Sequence, residues 1–384
     1  ATTDIYTLSL HDALPIYPNI KTGNSLYGFD WISELSEILK NNQKSLRFQR
    51  ECFDLIVGNP PYGNLLTQKE KQQVSEYAHF PNEISAVFID RALGLLASQG
   101  NLVFITSYAI CFSKDLSATR LGIGKQFEIS KIATFDRDKC RFFEGMTQSV
   151  SILQCIRKKD PQSVGLKSYA DVYTTNMYRS MPILSELVYQ KVNGFLLLEN
   201  GEYFLSDNFE CPHRLPKIGY EHLTALLKQL KNHHDWNKST KTPISIGIFF
   251  GSFKIVKNHA DDMAVIKELG DQCFIYLRIS GNYWYNALDR APYYGTQIAI
   301  LPLLKTTDHD KNFFLTLINS SLFYTWFRIY SDGRHLNGDI LRAFPMPTAY
   351  DEKMAFYGFM VDIYAQFLLN TLFDHFDAEY NRFK

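Results

Sequence analysis

Phe53-Asp-Leu-Ile-Val-Gly-Asn-Pro-Pro-Tyr62 is the stretch from which the rest of the chain is read. Phe53 to Val57 is a short apolar run closed by Gly58, the pattern of a buried parallel strand. Residues just past the carboxyl end of such a strand lie where open α/β sheets bind ligands. Here they are Asn59, Pro60, Pro61 and Tyr62. Two consecutive prolines remove two N–H donors, and the second holds the first extended. The loop is left rich in acceptors, the Asn59 side-chain oxygen and the Pro60 carbonyl. That pair suits a planar exocyclic amine, because accepting both N–H bonds discourages delocalisation of the nitrogen lone pair into the ring and leaves the nitrogen more nucleophilic. Tyr62 adds a ring face on which a planar group can stack.

Outward from this loop, Ile20 to Lys159 reads as an α/β unit. Asn82 is the expected cap of a helix whose apolar residues Ile84, Val87, Phe88, Ala92, Leu95 and Leu96 share one face, with Gly100 at its end. Leu102 to Thr106 follows as a second buried strand, so strand, helix and strand form a right-handed crossover. Further strands are expected at Ile129 to Phe135 and Ser149 to Ile156, joined by a loop holding Phe142 and Phe143. The expected architecture is part of a doubly wound, Rossmann-like sheet. Arg157 to Pro182 turns to mixed polar residues, a linker. The second domain is α+β in pattern, with a helix at His222 to Lys231, strands at Ile244 to Phe250 and Cys273 to Ile279, and a helix at Asn312 to Tyr330.

The chain has 384 residues, with Lys+Arg 40 against Asp+Glu 40, so a polyanion would have to meet a local basic patch. No apolar run approaches the ~20 residues of a bilayer span, and no membrane association is expected. The six cysteines contain no C-x-x-C pair, which argues against a zinc ribbon and a disulfide framework and for a reducing, cytoplasmic setting. No metal site is expected: His233-His234 lies in a basic turn without further ligands at metal spacing. Gly122-Ile-Gly-Lys125 is a fragment of a phosphate-loop pattern without a preceding strand and reads as a plain loop. Residues 1–16 resemble a translated sequencing adapter and are set aside as non-native.

Taken together, these segments resemble the adenine-specific (N6) DNA methyltransferases of gamma motif order in type II and IIG restriction-modification systems, the Eco57I-like methylases. Thr22-Gly-Asn-Ser-Leu26 resembles the third motif, which implies that Asn24 contacts the adenine of S-adenosylmethionine. Phe53 to Tyr62 resembles the fourth motif, and Phe88 to Thr106 the next two. Phe143 to Leu153 resembles the eighth, which implies that Phe143 clamps a flipped base from the face opposite Tyr62. The implied reaction is methyl transfer from S-adenosylmethionine to adenine N6 in double-stranded DNA, with the base flipped out of the stack. The resemblance divides the chain into a C-terminal part of a catalytic domain (17–160), a linker (161–180) and a target-recognition domain (181–384). In the last, Arg278 and Arg290, with Tyr283, Trp284, Tyr285, Tyr293 and Tyr294, would meet bases and phosphates. The same acceptor loop also suits a protein glutamine amide or an RNA amino group, and a non-catalytic DNA-binding fragment is a third reading. A nuclease domain or subunit would lie outside this chain. The stretch before Asn24 is too short for the strand and Gly-rich turn expected there. An N-terminally truncated chain is therefore expected, one that exposes an apolar sheet edge, binds S-adenosylmethionine weakly and is inactive alone.

Overall fold

The computed structural model describes residues 53–135, 148–160, 168–175, 189–199, 202–203, 214–218, 221–232, 236–237, 242–243, 245–279, 285–291, 297–304 and 308–345. Among the described residues, the first half is a mixed sheet of seven strands: β1 (Phe53–Gly58), β2 (Leu96–Ser107), β3 (Phe127–Phe135), β4 (Val150–Arg157), β5 (Ser168–Thr175), β6 (Tyr189–Glu199) and β7 (Glu202–Tyr203). Their order across the sheet is β1-β2-β4-β3-β5-β6-β7. Helices α1 (Gln68–Val74) and α2 (Ile84–Leu93) connect β1 to β2, while α3 (Ala109–Phe112) and α4 (Ser117–Gln126) connect β2 to β3.

A helical connection lets β2 run parallel to β1, with Ile56 beside Leu102 and Gly58 beside Phe104. The expected crossover is therefore present, with two corrections. Asn82 is not the cap; the Glu83 side chain accepts from the Ser85 N–H, and Gly94 ends the helix. Gly100 lies within β2 instead, where a Cβ would come within 2.9 Å of the Phe53 and Ala97 carbonyl oxygens. Leu95 and Leu96 thus leave the helix for the turn and the strand.

A doubly wound sheet was expected to continue in parallel, but β4 lies antiparallel to both β2 and β3. β4 follows β3 in the chain and lies between β2 and β3 in the sheet. The linker expected at 161–180 contains β5, which pairs in parallel with β3 and carries β6 on its other side. The sheet thus continues past the expected boundary at residue 160.

β1 is parallel as expected but not buried. Among the described residues it lies at the end of the strand order, and Phe53, Leu55 and Val57 are exposed, Val57 by 66%. The core instead forms between Leu102, Phe104, Ile129, Ile132, Leu153 and Cys155 of the sheet and Ile89, Ala92, Leu93 and Ile123 of α2 and α4. Gly122-Ile-Gly-Lys125, expected as a loop, lies inside α4 and buries Ile123.

The second half begins with α5 (Glu221–Asn232) and the short pair β8 (Trp236–Asn237) and β9 (Thr242–Pro243). A four-stranded antiparallel sheet follows, made of β10 (Lys254–Val256), β11 (Phe274–Arg278), β12 (Asn286–Leu288) and β13 (Ile298–Pro302), in the order β10-β13-β11-β12, with α6 (His259–Leu269) between β10 and β11. Ile244 to Phe250, expected as a strand, contains a 3-10 turn at Ile246–Phe249 capped by Ser245. The helix expected from Asn312 to Tyr330 is two helices, α7 (Asp308–Ile318) and α8 (Ser321–Tyr330), followed by α9 (Gly338–Arg342). Ser320 makes the break: its hydroxyl donates to the Leu317 carbonyl (2.6 Å) and accepts from the Phe323 N–H (3.2 Å). Asn319 uses the break to hold β12. Its side-chain oxygen accepts from the Ala287 N–H (3.0 Å), and its amide donates to the carbonyls of Ala287 (2.7 Å) and Leu315 (2.9 Å).

Three half-buried hydrogen bonds depend on Asn319. Asn319→Ala should therefore destabilise the protein by about 2–3 kcal/mol, read as a lower urea midpoint with an unchanged slope. A loss under about 0.5 kcal/mol would show that water replaces the clasp.

Candidate active site

Parallel pairing sets Gly58, the last residue of β1, beside Phe104 near the carboxyl end of β2, and Asn59 to Tyr62 follow from there. Asn59 is exposed, Pro60 is buried, and Pro61 and Tyr62 are half-buried. The Tyr62 hydroxyl donates to Asn59 Oδ1 at 2.6 Å. Its ring packs against Phe135 and Val150, the last residue of β3 and the first of β4. Among the described residues, no N–H donates to the Pro60 carbonyl. Tyr62 takes one lone pair of Asn59 Oδ1 and leaves the other, so the loop holds an acceptor with remaining capacity beside an aromatic ring.

The next residue turns the chain. Gly63 has φ +92°, a conformation that side chains rarely adopt. Its N–H donates to Glu83 Oε1 at 2.9 Å, and its carbonyl accepts from the Ile84 N–H at 3.1 Å. Glu83 Oε1 also accepts from the Ser85 hydroxyl at 2.7 Å. Burial, and then the nearby Glu83 carboxylate, push the Tyr62 hydroxyl up from 10.0 to about 12. It therefore remains a donor at neutral pH.

Of the other expected site residues, Asn24 and Phe143 lie outside the described residues, as do Tyr283, Trp284, Tyr293, Tyr294 and His233-His234. The segment holding Phe143 leaves β3 at Phe135 and enters β4 at Val150, the two residues against which Tyr62 packs. Arg278 ends β11 opposite Asn286 and Ile298, with its buried Nε lacking a hydrogen-bond partner among the described residues. Arg290 is exposed beyond β12. Tyr285, expected in a recognition loop, is instead core: its ring meets Phe323 at 5.6 Å and Phe327 at 4.9 Å, and burial raises its hydroxyl well above the usual range. The described contacts do not bring Arg278 or Arg290 to the Asn59 loop.

Two features escaped the sequence reading. One is Glu83, whose signal was its place just before the apolar helix. The other is the buried strap Arg214-Leu-Pro-Lys-Ile218. The Leu215 N–H donates to the Cys111 carbonyl in α3, the Lys217 N–H to the Ile329 carbonyl in α8, and the Lys217 ammonium lies 5.1 Å from the centre of the Tyr108 ring. The strap joins the end of β2 to the second half. Asp90 is a core group held by the His79 N–H (2.8 Å) and ring (2.9 Å), and burial raises its carboxyl. Among the described residues, no group of three or more His, Cys, Asp or Glu is placed to hold a metal, and no helix is long and apolar enough to cross a membrane.

Residues 12–142 match the Eco57I restriction-modification methylase family. The matched segment contains β1, β2, β3 and the whole Asn59 loop. Over 88 residues the chain is 34% identical to a protein of Methanocaldococcus jannaschii named as a type II restriction enzyme and methyltransferase, a match spanning 23% of this chain and 7% of that relative. Among solved structures, the Type IIL restriction-modification enzyme MmeI in complex with DNA is similar over 89% of this chain and 52% of its own, at TM-score 0.46 and 12% identity. A class I S-adenosylmethionine-dependent methyltransferase from Listeria monocytogenes is similar over 38% of this chain and 40% of its own, at TM-score 0.26 and 17% identity.

The Tyr62 hydroxyl should titrate near pH 12. A folded pKa above the unfolded one means that the stability Tyr62 contributes is present at neutral pH and is lost as pH rises from about 10 to about 12. Ring-carbon NMR of labelled tyrosine, assigned with Tyr62→Phe, measures the midpoint. A value near 10 would show that the hydroxyl is neither buried nor close to the Glu83 carboxylate.

Proposed function

We propose that this chain carries the catalytic loop of a restriction-modification DNA methyltransferase that transfers a methyl group from S-adenosylmethionine to N6 of a flipped adenine. The observation that carries this reading is the Tyr62 hydroxyl held on Asn59 Oδ1 at 2.6 Å in the loop after β1, which pairs in parallel with β2; the Pro60 carbonyl is the proposed second acceptor. The match of residues 12–142 to the methylase family supports it.

The exocyclic amine of adenine carries two N–H bonds and a lone pair delocalised into the ring. Asn59 Oδ1, through the lone pair that Tyr62 leaves, would accept one N–H, and the Pro60 carbonyl would accept the other. Holding both hydrogens favours a more pyramidal nitrogen whose lone pair points out of the ring plane. Tyr62 supports one face of the base, and Phe143 is the proposed support of the other, since its segment starts and ends at the residues packed on Tyr62. S-adenosylmethionine, when bound, supplies an electrophilic methyl group and leaves as the neutral thioether. The nitrogen would form its bond to carbon as the sulfur–carbon bond breaks, and the resulting cationic nitrogen would then release one of its two protons to solvent. The polarity of the loop fits a cationic methyl donor: its acceptors are neutral and backed by the Glu83 carboxylate. Asn24 is the residue proposed to hold the adenine of that donor.

A DNA substrate is favoured over a glutamine amide or an RNA amine by the substantial second half, with its four-stranded sheet and its helices, which would read bases around the flipped one. Arg278 and Arg290 are its proposed contacts.

In the full protein, Asn59→Ala should lower the methylation rate of duplex DNA by at least ~10²-fold, through loss of one oriented acceptor, with DNA binding little changed. A near-normal rate would sink the assignment, and methylation of a release factor or ribosome in place of DNA would favour the other substrates. Replacing Arg278 should reduce the salt slope of DNA binding by about one if it meets a phosphate, or relax one base position if it meets a base. An unchanged slope with unchanged specificity would remove Arg278 from the interface.

A further inference from the structure

The pose of Tyr62 is set from outside its own motif. Gly63 N–H reaches Glu83 Oε1 at 2.9 Å across 20 residues of sequence, and the Ile84 N–H returns to the Gly63 carbonyl at 3.1 Å. Both polar groups of this glycine are therefore held by the first residues of α2. Glycine reaches φ +92° without strain, so the bonds to Glu83 and Ile84 select this conformation from the many open to it. Tyr62 is one peptide bond away, so the direction of its ring and the 2.6 Å reach of its hydroxyl to Asn59 follow from how Gly63 is held.

We propose that Glu83 is the positioning residue of the acceptor loop: its carboxylate fixes the Gly63 turn and thereby holds Tyr62 against Asn59. The kinetic consequence rests on the methyl-transfer reading above; the geometric one does not. A cap alone would need only the Ser85 N–H at 3.4 Å and the Ser85 hydroxyl at 2.7 Å. The shorter backbone bond to Gly63 exceeds what capping requires and points at the loop.

The test uses the full protein with three substitutions. Glu83→Ala removes every bond to the carboxylate, Glu83→Gln keeps the acceptor but removes the charge, and Asn258→Ala deletes the cap of α6 in the other half as a control for stability. Glu83→Ala should lower kcat for duplex methylation by on the order of 10- to 100-fold with KM for DNA little changed, because a small displacement of a reacting group is costly. Glu83→Gln should recover most of that rate while moving the Tyr62 titration midpoint down from about 12, since the carboxylate charge is one cause of its height. Asn258→Ala should leave kcat unchanged. The proposal is overturned if Glu83→Ala keeps the wild-type kcat, or if Glu83→Gln is as impaired as Glu83→Ala. Should Glu83→Ala fail to fold, Glu83→Asp, one methylene shorter, takes its place with the same expectations. If the wild-type protein methylates no DNA, the function reading fails separately. The brace is then judged by NMR alone, and a Tyr62 ring resonance and titration unmoved by Glu83→Ala would reject it.

Discussion

The parallel pairing of Phe53–Gly58 with Leu96–Ser107 is the constraint on which the rest of the site depends. Because both strands end at the same edge, the chain leaving Gly58 and the chain leaving Ser107 must share one small region of space. Pro60 is buried there, which leaves Asn59 outside it and Tyr62 turned back over the ends of β3 and β4. The helical connection makes the parallel pairing possible, and the same helix supplies Glu83. One element thus sets the direction of β2 and holds the loop after β1.

The second dependence is the strap at residues 214–218. Arg214 and Lys217 are 3% exposed each, and a buried cation is costly unless it has partners. Arg214 pairs with Asp339 at 3.0 Å, and Lys217 lies over the Tyr108 ring. The backbone of the strap is bonded to α3 on one side and to α8 on the other. These contacts tie the edge of the sheet that carries the acceptor loop to the half that follows, so the two are packed through one continuous core.

Local pattern made much of this legible. The strands near Leu102, Ile129 and Ser149, the helix at 221–232 and the strand at 274–278 all carry periodic apolar residues of the right length. Errors arose where one local pattern served two structures. Asn312 to Tyr330 is apolar at helical spacing throughout, but Asn319 and Ser320 in its middle prefer bonds to nearby backbone, and the helix breaks there. Tyr285 stood among aromatic residues that suit recognition, yet packing against Phe323 and Phe327 put it in the core.

What the sequence determined by itself was the chemistry of the loop. Two prolines remove donors wherever they fold, and Asn, a carbonyl and a Tyr ring retain their bonding capacities in any structure. Tertiary structure alone decided how those groups are held. That β4 enters antiparallel between β2 and β3, that β5 extends the sheet into the expected linker, and that Glu83 reaches Gly63 all depend on contacts between residues far apart in the chain. A carboxylate 20 residues away carries no sign of its partner in its own neighbourhood. Only folding brings the two together, because the partner is a backbone N–H, a group that every residue except proline possesses.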